Sequence, residues 1–163
     1  MVTPTTQGPL TVRVRSIDDS CNIEVNPASV ALVVGSRSLP APLFPDSLVP
    51  SVPRSNDGSS IEVGTRIQPI VDGVLTAVRY FKPSGTTGTH VGKLWSSSGQ
   101  LLASATFTNE TSVGWQSAPI TPVNVTAGST YVVSVYSPSG DYVGTTGFFA
   151  SAYELWPLRA PAN

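Results

Sequence analysis

Few residues in this chain could carry nucleophilic or acid–base catalysis. The sequence has a single histidine, His90, and a single cysteine, Cys21. A Ser-His-Asp triad would need His90, which lies where a turn enters a predicted strand, and no Gly-x-Ser-x-Gly nucleophile elbow occurs. A catalytic cysteine needs a nearby histidine, and Cys21 is far from His90 in sequence, so we interpret Cys21 as a small buried hydrophobe. We therefore predict that the chain is not an enzyme.

The carboxylates show no pattern typical of a hydrolase or a metal site. Glycoside hydrolysis needs two carboxyl groups at a defined separation, and the glutamates, at 62, 110 and 154, form no marked pair. Zinc needs several His or Cys ligands, and calcium needs clustered oxygen ligands. Asp57, Asp72 and Asp141 each adjoin a glycine in a predicted turn, where aspartate is favoured by the backbone. We predict no metal and no cofactor, with a calcium site built from backbone carbonyls left open.

Aromatic residues are the better functional candidates. Flat rings on a sheet face or a loop can stack on sugar rings, although most aromatic side chains of a β-sandwich pack in its core. Tyr142 directly follows a predicted turn at 139–141, and Trp156 lies in a tail that ends in prolines. We predict a ligand-binding role for four residues, namely His90, Trp95, Tyr142 and Trp156.

Composition excludes several classes of partner. With 163 residues the chain suits one domain, with or without a short arm, and only 12% of its residues are charged. The net charge is −1 and no Lys/Arg cluster occurs, so we predict no nucleic-acid partner. No run approaches the roughly 20 apolar residues of a membrane helix, so we predict no membrane insertion.

The elements that must position these side chains are short strands. Fifteen prolines and fourteen glycines interrupt almost every long window, and β-branched runs between turns are typical of a sandwich. We predict an all-β fold, an antiparallel β-sandwich of the jelly-roll or immunoglobulin-like kind, with at least seven strands between about 59 and 150. The predicted core comprises Leu75, Val78, Tyr80, Leu94, Leu101, Trp115, Tyr131, Val133 and Val135.

The first 58 residues have a different pattern. Predicted strands at 10–15, 22–25 and 30–34 precede a Pro-rich stretch at 39–53, which we interpret as an extended arm because proline favours open conformations. An extended arm cannot bury its own apolar side chains, so we expect it to dock through Leu43, Phe44 and Leu48. The docking surface is either the arm's own domain or a neighbouring subunit, where these residues would be assembly contacts. We thus divide the chain into 1–58 and a sandwich domain with a C-terminal tail, 59–163.

Residues from about 59 to 150 resemble a bacterial family, domain of unknown function 4082. The resemblance implies a β-sandwich without established catalytic residues. Its members are typically appended to glycoside hydrolases or repeats in secreted proteins, which implies an accessory glycan-binding or spacing role. The matching segments are 62–66, 74–82, 87–95, 99–103, 114–116 and 125–134.

Two settings are consistent with a non-catalytic surface module. In the first, it is a phage virion component, a capsid decoration or tail appendage on the virion exterior that contacts host-surface glycans. The first six residues lack the features of a signal peptide, and the arm suits an oligomeric assembly with other virion or cell-surface proteins. The alternative is a carbohydrate-binding accessory module of a secreted bacterial protein, which would be extracellular or on the cell surface.

Overall fold

The computed structural model describes residues 41–163 throughout and, before them, the strands Val2–Pro4, Pro9–Arg13 and Ser29–Val33. The strand predicted at 22–25, Cys21, and residues 39 and 40 of the arm lie outside the described residues. In the described part, no helix is long and apolar enough to cross a membrane.

Antiparallel strands account for nearly all of the regular structure. One three-residue 3-10 turn, Phe148–Ala150, follows the eleventh strand. Seven strands lie between residues 59 and 150, as predicted from the sequence. The strands are β1 (Val2–Pro4), β2 (Pro9–Arg13), β3 (Ser29–Val33), β4 (Val52–Asn56), β5 (Ile61–Pro69), β6 (Gly73–Lys82), β7 (Val91–Ser96), β8 (Leu101–Thr106), β9 (Gly114–Val125), β10 (Tyr131–Ser137), β11 (Asp141–Gly144), β12 (Tyr153–Leu155) and β13 (Leu158–Ala160).

Two sheets of unequal width form the sandwich. The larger sheet has the order β12-β13-β5-β10-β7-β8, and the smaller has the order β1-β6-β9. The chain crosses between the sheets from β5 to β6, from β6 to β7, from β8 to β9 and from β9 to β10. Two further pairs, β4 with β11 and β2 with β3, complete the pairing. The predicted all-β sandwich is therefore confirmed.

The core lies between the sheets because strand side chains alternate between two faces. On β6, Leu75, Val78 and Tyr80 are buried, and from the facing sheet Leu94 of β7 is fully buried. These four residues confirm the predicted core. Three further predicted residues of β10 are partly buried and pack against it, namely Tyr131, Val133 and Val135.

Two core predictions are wrong. Leu101 is 47% exposed because a bulge shifts the pairing of β7 with β8, so that Leu101 faces Trp95 on the outer side of the sheet. Leu102 packs against the core instead. Trp115 is only partly buried. Gln116, Ala118 and Ile120 of the same strand face the core, so Trp115 points to the opposite face of the sheet.

Strands β9 and β11 differ in length from their predicted counterparts. We expected a strand at 114–120, and β9 continues to Val125 through Pro119 and Pro122. Both prolines are tolerated because, among the described strands, β9 pairs with β6 alone and is an edge strand of its sheet. Conversely, the strand expected at 142–150 ends at Gly144, and a turn and the 3-10 segment follow.

A strap formed by residues 42–50 packs on Trp115, which is on the outer face of the smaller sheet, and also against the core and the C-terminal segment. Leu43 is buried in the core cluster, and Leu48 accepts a hydrogen bond at its carbonyl oxygen from Trp115 Nε1, at 3.0 Å. Phe44 stacks on Trp115 with 6.0 Å between ring centroids. The Phe44 ring also contacts three aromatic rings of the C-terminal segment, those of Phe148, Phe149 and Tyr153. The described part of the arm has no regular helix and docks on its own sandwich through the three predicted residues, whose contact with another subunit stays a prediction. It is not extended throughout, since it bends at Leu43 and Phe44 and then turns, where the Leu48 N–H donates to the Pro45 carbonyl oxygen at 3.0 Å.

Replacing Phe44 with Ala should lower the free energy of unfolding by about 2 to 3 kcal/mol, because the change removes a ring that joins four others. Urea unfolding followed by tryptophan fluorescence measures this loss. Val49→Ala in the same strap is the matched control, since Val49 is 64% exposed and should change stability by less than about 0.5 kcal/mol. Equal effects of both variants would show that the strap is not docked.

Asp141 holds β4 and β11 together. Its side chain is 1% exposed and accepts hydrogen bonds from Arg54 Nε at 2.7 Å, from Asn56 Nδ2 at 2.8 Å and from Ser139 Oγ at 2.8 Å. The Arg54 hydrogen bond is the largest influence and, despite the opposing effect of burial, the pKa of Asp141 falls from 3.8 to about 2. Since β4 ends before residue 59, this pairing ties the end of the predicted N-terminal segment into the sandwich.

Because the folded state lowers the pKa of Asp141, its charged form stabilises the fold above pH 4, and this contribution disappears as the pH falls from about 4 to about 2. The amount lost should be about 2 kcal/mol. Asp141→Asn should remove that part of the pH dependence, measured by urea unfolding between pH 2 and pH 6. Asp57→Asn, at an exposed position, is the control. If Asp141→Asn showed the same dependence of stability on pH as the wild type, the assignment of this dependence to Asp141 would be wrong.

Candidate functional site

The four predicted ligand-binding residues do not come together. His90 is 1% exposed and lies inside the sandwich. Tyr142 is on β11 beside a partly open cavity, and Trp156 is 48% exposed at the β12–β13 turn. Trp95 lies on β7, near the edge of the larger sheet opposite β12 and β13. A single site that includes all four is therefore excluded by their positions, and each must be considered in its own surroundings.

His90 belongs to a buried polar cluster at one end of the sandwich, formed with Tyr80, Lys82 and Glu110. The Glu110 carboxylate accepts hydrogen bonds from Lys82 Nζ at 2.6 Å and from Tyr80 Oη at 3.0 Å, and His90 Nδ1 lies 3.0 Å from both of its oxygens. Burial raises the pKa of Glu110, but the hydrogen bonds from Lys82 and Tyr80 and the nearby charges lower it below its usual value. Burial and the adjacent carboxylate raise the pKa of Tyr80.

This cluster closes the polar end of the core. Tyr80 and Lys82 are on β6, whereas His90 and Glu110 lie in the loops that follow β6 and β8, so the cluster joins β6 to both loops. The cluster is shielded, since the Lys82 and Glu110 side chains are 12% and 10% exposed. Glu110 carried no signal in the sequence, because its partners lie 20 to 30 positions away.

Trp95 lies in a second cluster, on the outer face of the larger sheet. We call Glu62, Lys93, Trp95, Ser134 and Tyr136 the outer-face cluster. Leu94 and Gly92 face the core, so Lys93 and Trp95 point outwards. Ser134 of β10 lies between Lys93 of β7 and Gly64 of β5, and the three residues form a row across the sheet. Trp95 is two residues beyond Lys93 on one side of this row, and Tyr136 is two residues beyond Ser134 on the other side.

A chain of hydrogen bonds fixes these side chains. Trp95 Nε1 donates to Ser134 Oγ at 2.8 Å, Ser134 Oγ donates to Glu62 Oε1 at 2.6 Å, and Lys93 Nζ donates to Glu62 Oε2 at 2.6 Å. Burial raises the pKa of Glu62, but the hydrogen bonds from Lys93 and Ser134 outweigh it and lower the pKa.

The Lys93 ammonium group lies between the two rings of this cluster. Its Nζ is 5.5 Å from the centroid of the Trp95 ring and 6.0 Å from that of Tyr136, within range of cation–π attraction. Leu101, displaced outwards by the bulge in β8, adds an exposed apolar side chain opposite Trp95. The result is an amphipathic surface in which apolar rings flank a charged, hydrogen-bonded centre.

Two of the three aspartates proposed as turn residues make side-chain contacts within the protein. Asp141 is bonded to Arg54, and Asp72 Oδ1 accepts a hydrogen bond from the backbone N–H of Ala127 at 2.8 Å. Among the residues that the structure describes, no three His, Cys, Asp or Glu side chains gather as metal ligands.

Replacing Glu110 with Ala should lower the free energy of unfolding by about 3 kcal/mol, because Lys82 and His90 would keep their buried positions without the carboxylate. Glu154→Ala is the matched control, since Glu154 is exposed on β12. Thermal and urea unfolding of the two variants measure the difference. A Glu110 variant as stable as the Glu154 variant would contradict a closing role for the cluster.

Comparison with known proteins assigns the chain to a family without a described activity. A search of curated proteins finds no match, and neither does a search of solved structures. The family model described as "Domain of unknown function (DUF4082)" matches residues 47–163, which includes the end of the strap, β4, and every strand from β5 to β13. The match covers well over half of the chain, and this protein therefore belongs to the DUF4082 family.

Proposed function

We propose that this protein is a non-catalytic recognition module that binds glycans on the outer face of its larger sheet. The observation that carries the proposal is the position of two aromatic rings, Trp95 and Tyr136, on one sheet face on either side of Lys93. Stacked sugar rings require flat apolar surfaces, and sugar hydroxyls require hydrogen-bonding groups beside them. The outer-face cluster offers both within one patch.

Rigidity supports this function. Trp95 is held by its hydrogen bond to Ser134, and Glu62 is held by both Ser134 and Lys93. A fixed ring loses little conformational entropy when a ligand stacks on it, so more of the contact energy remains for affinity. Strands, rather than loops, position every member of the cluster, which favours a preformed binding surface.

The partly exposed ion pair defines the hydroxyl-binding part of the surface. The Lys93 and Glu62 side chains are 25% and 32% exposed. Together they present an ammonium donor and carboxylate acceptors, which suit the paired donor and acceptor character of vicinal hydroxyl groups. Of the four residues predicted from the sequence, Trp95 is the one that this proposal retains.

The setting of the module remains a prediction. A capsid decoration or tail appendage on a phage virion would use this surface on host glycans, and an accessory module of a secreted protein would use it on a polysaccharide. Because the strap docks on its own sandwich, the proposed glycan surface needs no neighbouring subunit to complete it.

The test uses the full chain on an array of bacterial and plant glycans, followed by calorimetry with the strongest binder. Trp95→Ala and Tyr136→Ala should each weaken binding about tenfold or more, as expected for central aromatic contacts. Trp156→Ala is the matched control, because Trp156 is an exposed tryptophan on a different part of the sheet. Circular dichroism would verify that each variant is folded.

Two results would contradict the proposal. One is the absence of binding to every glycan on the array at millimolar concentration. The other is binding that Trp95→Ala and Tyr136→Ala leave unchanged, particularly if Trp156→Ala abolishes it, which would move the binding surface to the β12–β13 turn.

A further inference from the structure

The sandwich contains a cavity that is separate from the outer-face cluster. It is partly open and has a volume of about 350 Å³. The strap and the Phe148–Ala150 segment form one side, β6 and β9 another, and β5 and β10 the third. Most of its lining is apolar, with contributions from Leu75, Val78, Leu94 and Val133, among others.

One polar atom in this lining has no partner among the residues that the structure describes. Ser137 is 2% exposed, and its Oγ makes no hydrogen bond to any of them. Val133 and Val135 of the same strand pack against the core, and Ser137 follows them at the same period of two, so its side chain points to the same face. A buried hydroxyl without a partner is uncommon in folded proteins, because it loses its hydrogen bonds to water.

The volume and the lining together define the class of occupant. A cavity of roughly 150 Å³ with apolar walls stays dry and accepts a benzene-sized molecule, and this one has more than twice that volume. Ligand cavities are mostly apolar, with a few polar groups that orient the ligand. Here the unpaired Ser137 hydroxyl is available for that purpose.

We infer that this cavity binds a small apolar molecule, a fused ring or a short acyl chain, that carries one hydrogen-bonding group directed at Ser137 Oγ. The aromatic residues Phe44, Phe148 and Phe149 form its wall on the strap side. The strap therefore has a second role, because the side chain that docks it also lines the binding cavity.

The test compares two probes of the same shape, 1-naphthol and 1-methylnaphthalene, on the full chain. Both should shift the methyl NMR signals of Val133 and Val135, and 1-naphthol should bind more tightly because it alone can bond to Ser137. Ser137→Ala should weaken the binding of 1-naphthol about fivefold, which corresponds to the loss of one hydrogen bond, and should leave the affinity for 1-methylnaphthalene unchanged. Trp95→Ala, which alters the outer face, should change neither affinity.

Three results would overturn this inference. The first is the absence of shifts at Val133 and Val135 at the solubility limit of both probes. The second is that 1-naphthol binds the wild type no more tightly than 1-methylnaphthalene does, and that Ser137→Ala changes neither affinity. The third is a set of nuclear Overhauser contacts from these methyl groups to residues 1–40, which would make the chain itself the occupant.

Discussion

The structure depends on covering both faces of a narrow sheet. β6 and β9 form most of the smaller sheet, and one face of it packs on the larger sheet through Leu75, Val78 and Ile120. The other face carries Arg79, Phe81 and Trp115, which would be an exposed aromatic surface without the strap. Phe44 covers it by packing on Trp115, and Arg79 is tied to the strap through the Phe44 carbonyl oxygen and Asp46. The aromatic C-terminal segment packs on the same ring, so one phenylalanine holds three parts of the chain in place.

Much of the fold could be predicted because its signals are local. The two-residue period of β6 marks Val78 and Tyr80 as core residues, and glycines such as Gly99, which has a positive φ in the structure, mark the hairpin turns. The exposure of Leu101 could not be predicted, because a bulge depends on how two strands pair and not on either strand alone. The position of Trp115 could not be predicted either, because its partner is the strap, which is 67 residues away in sequence.

The sites were harder to predict than the fold because their residues meet only through strand register. Glu62, Trp95 and Ser134 are 33 to 72 positions apart, and the order β5-β10-β7 makes them neighbours. Trp95 was identified as a candidate by its residue type, whereas Tyr136 needed knowledge of which strand lies beside β7. His90 was named as a ligand-binding candidate from its residue type, and only the fold shows that it lies inside the sandwich beside Glu110.

The contact between the strap and the Phe148–Ala150 segment has a consequence during translation. The strap leaves the ribosome first, whereas the segments that bind it, β11 and the Phe148–Ala150 turn, follow about a hundred residues later. At typical rates of synthesis this delay is roughly 5 to 20 seconds. For most of this delay the larger sheet still lacks β10, and Leu43 and Phe44 have no complete docking surface. The prolines on either side, Pro42 and Pro45, cannot donate backbone hydrogen bonds, so they limit strand pairing with other nascent chains until the docking surface is complete.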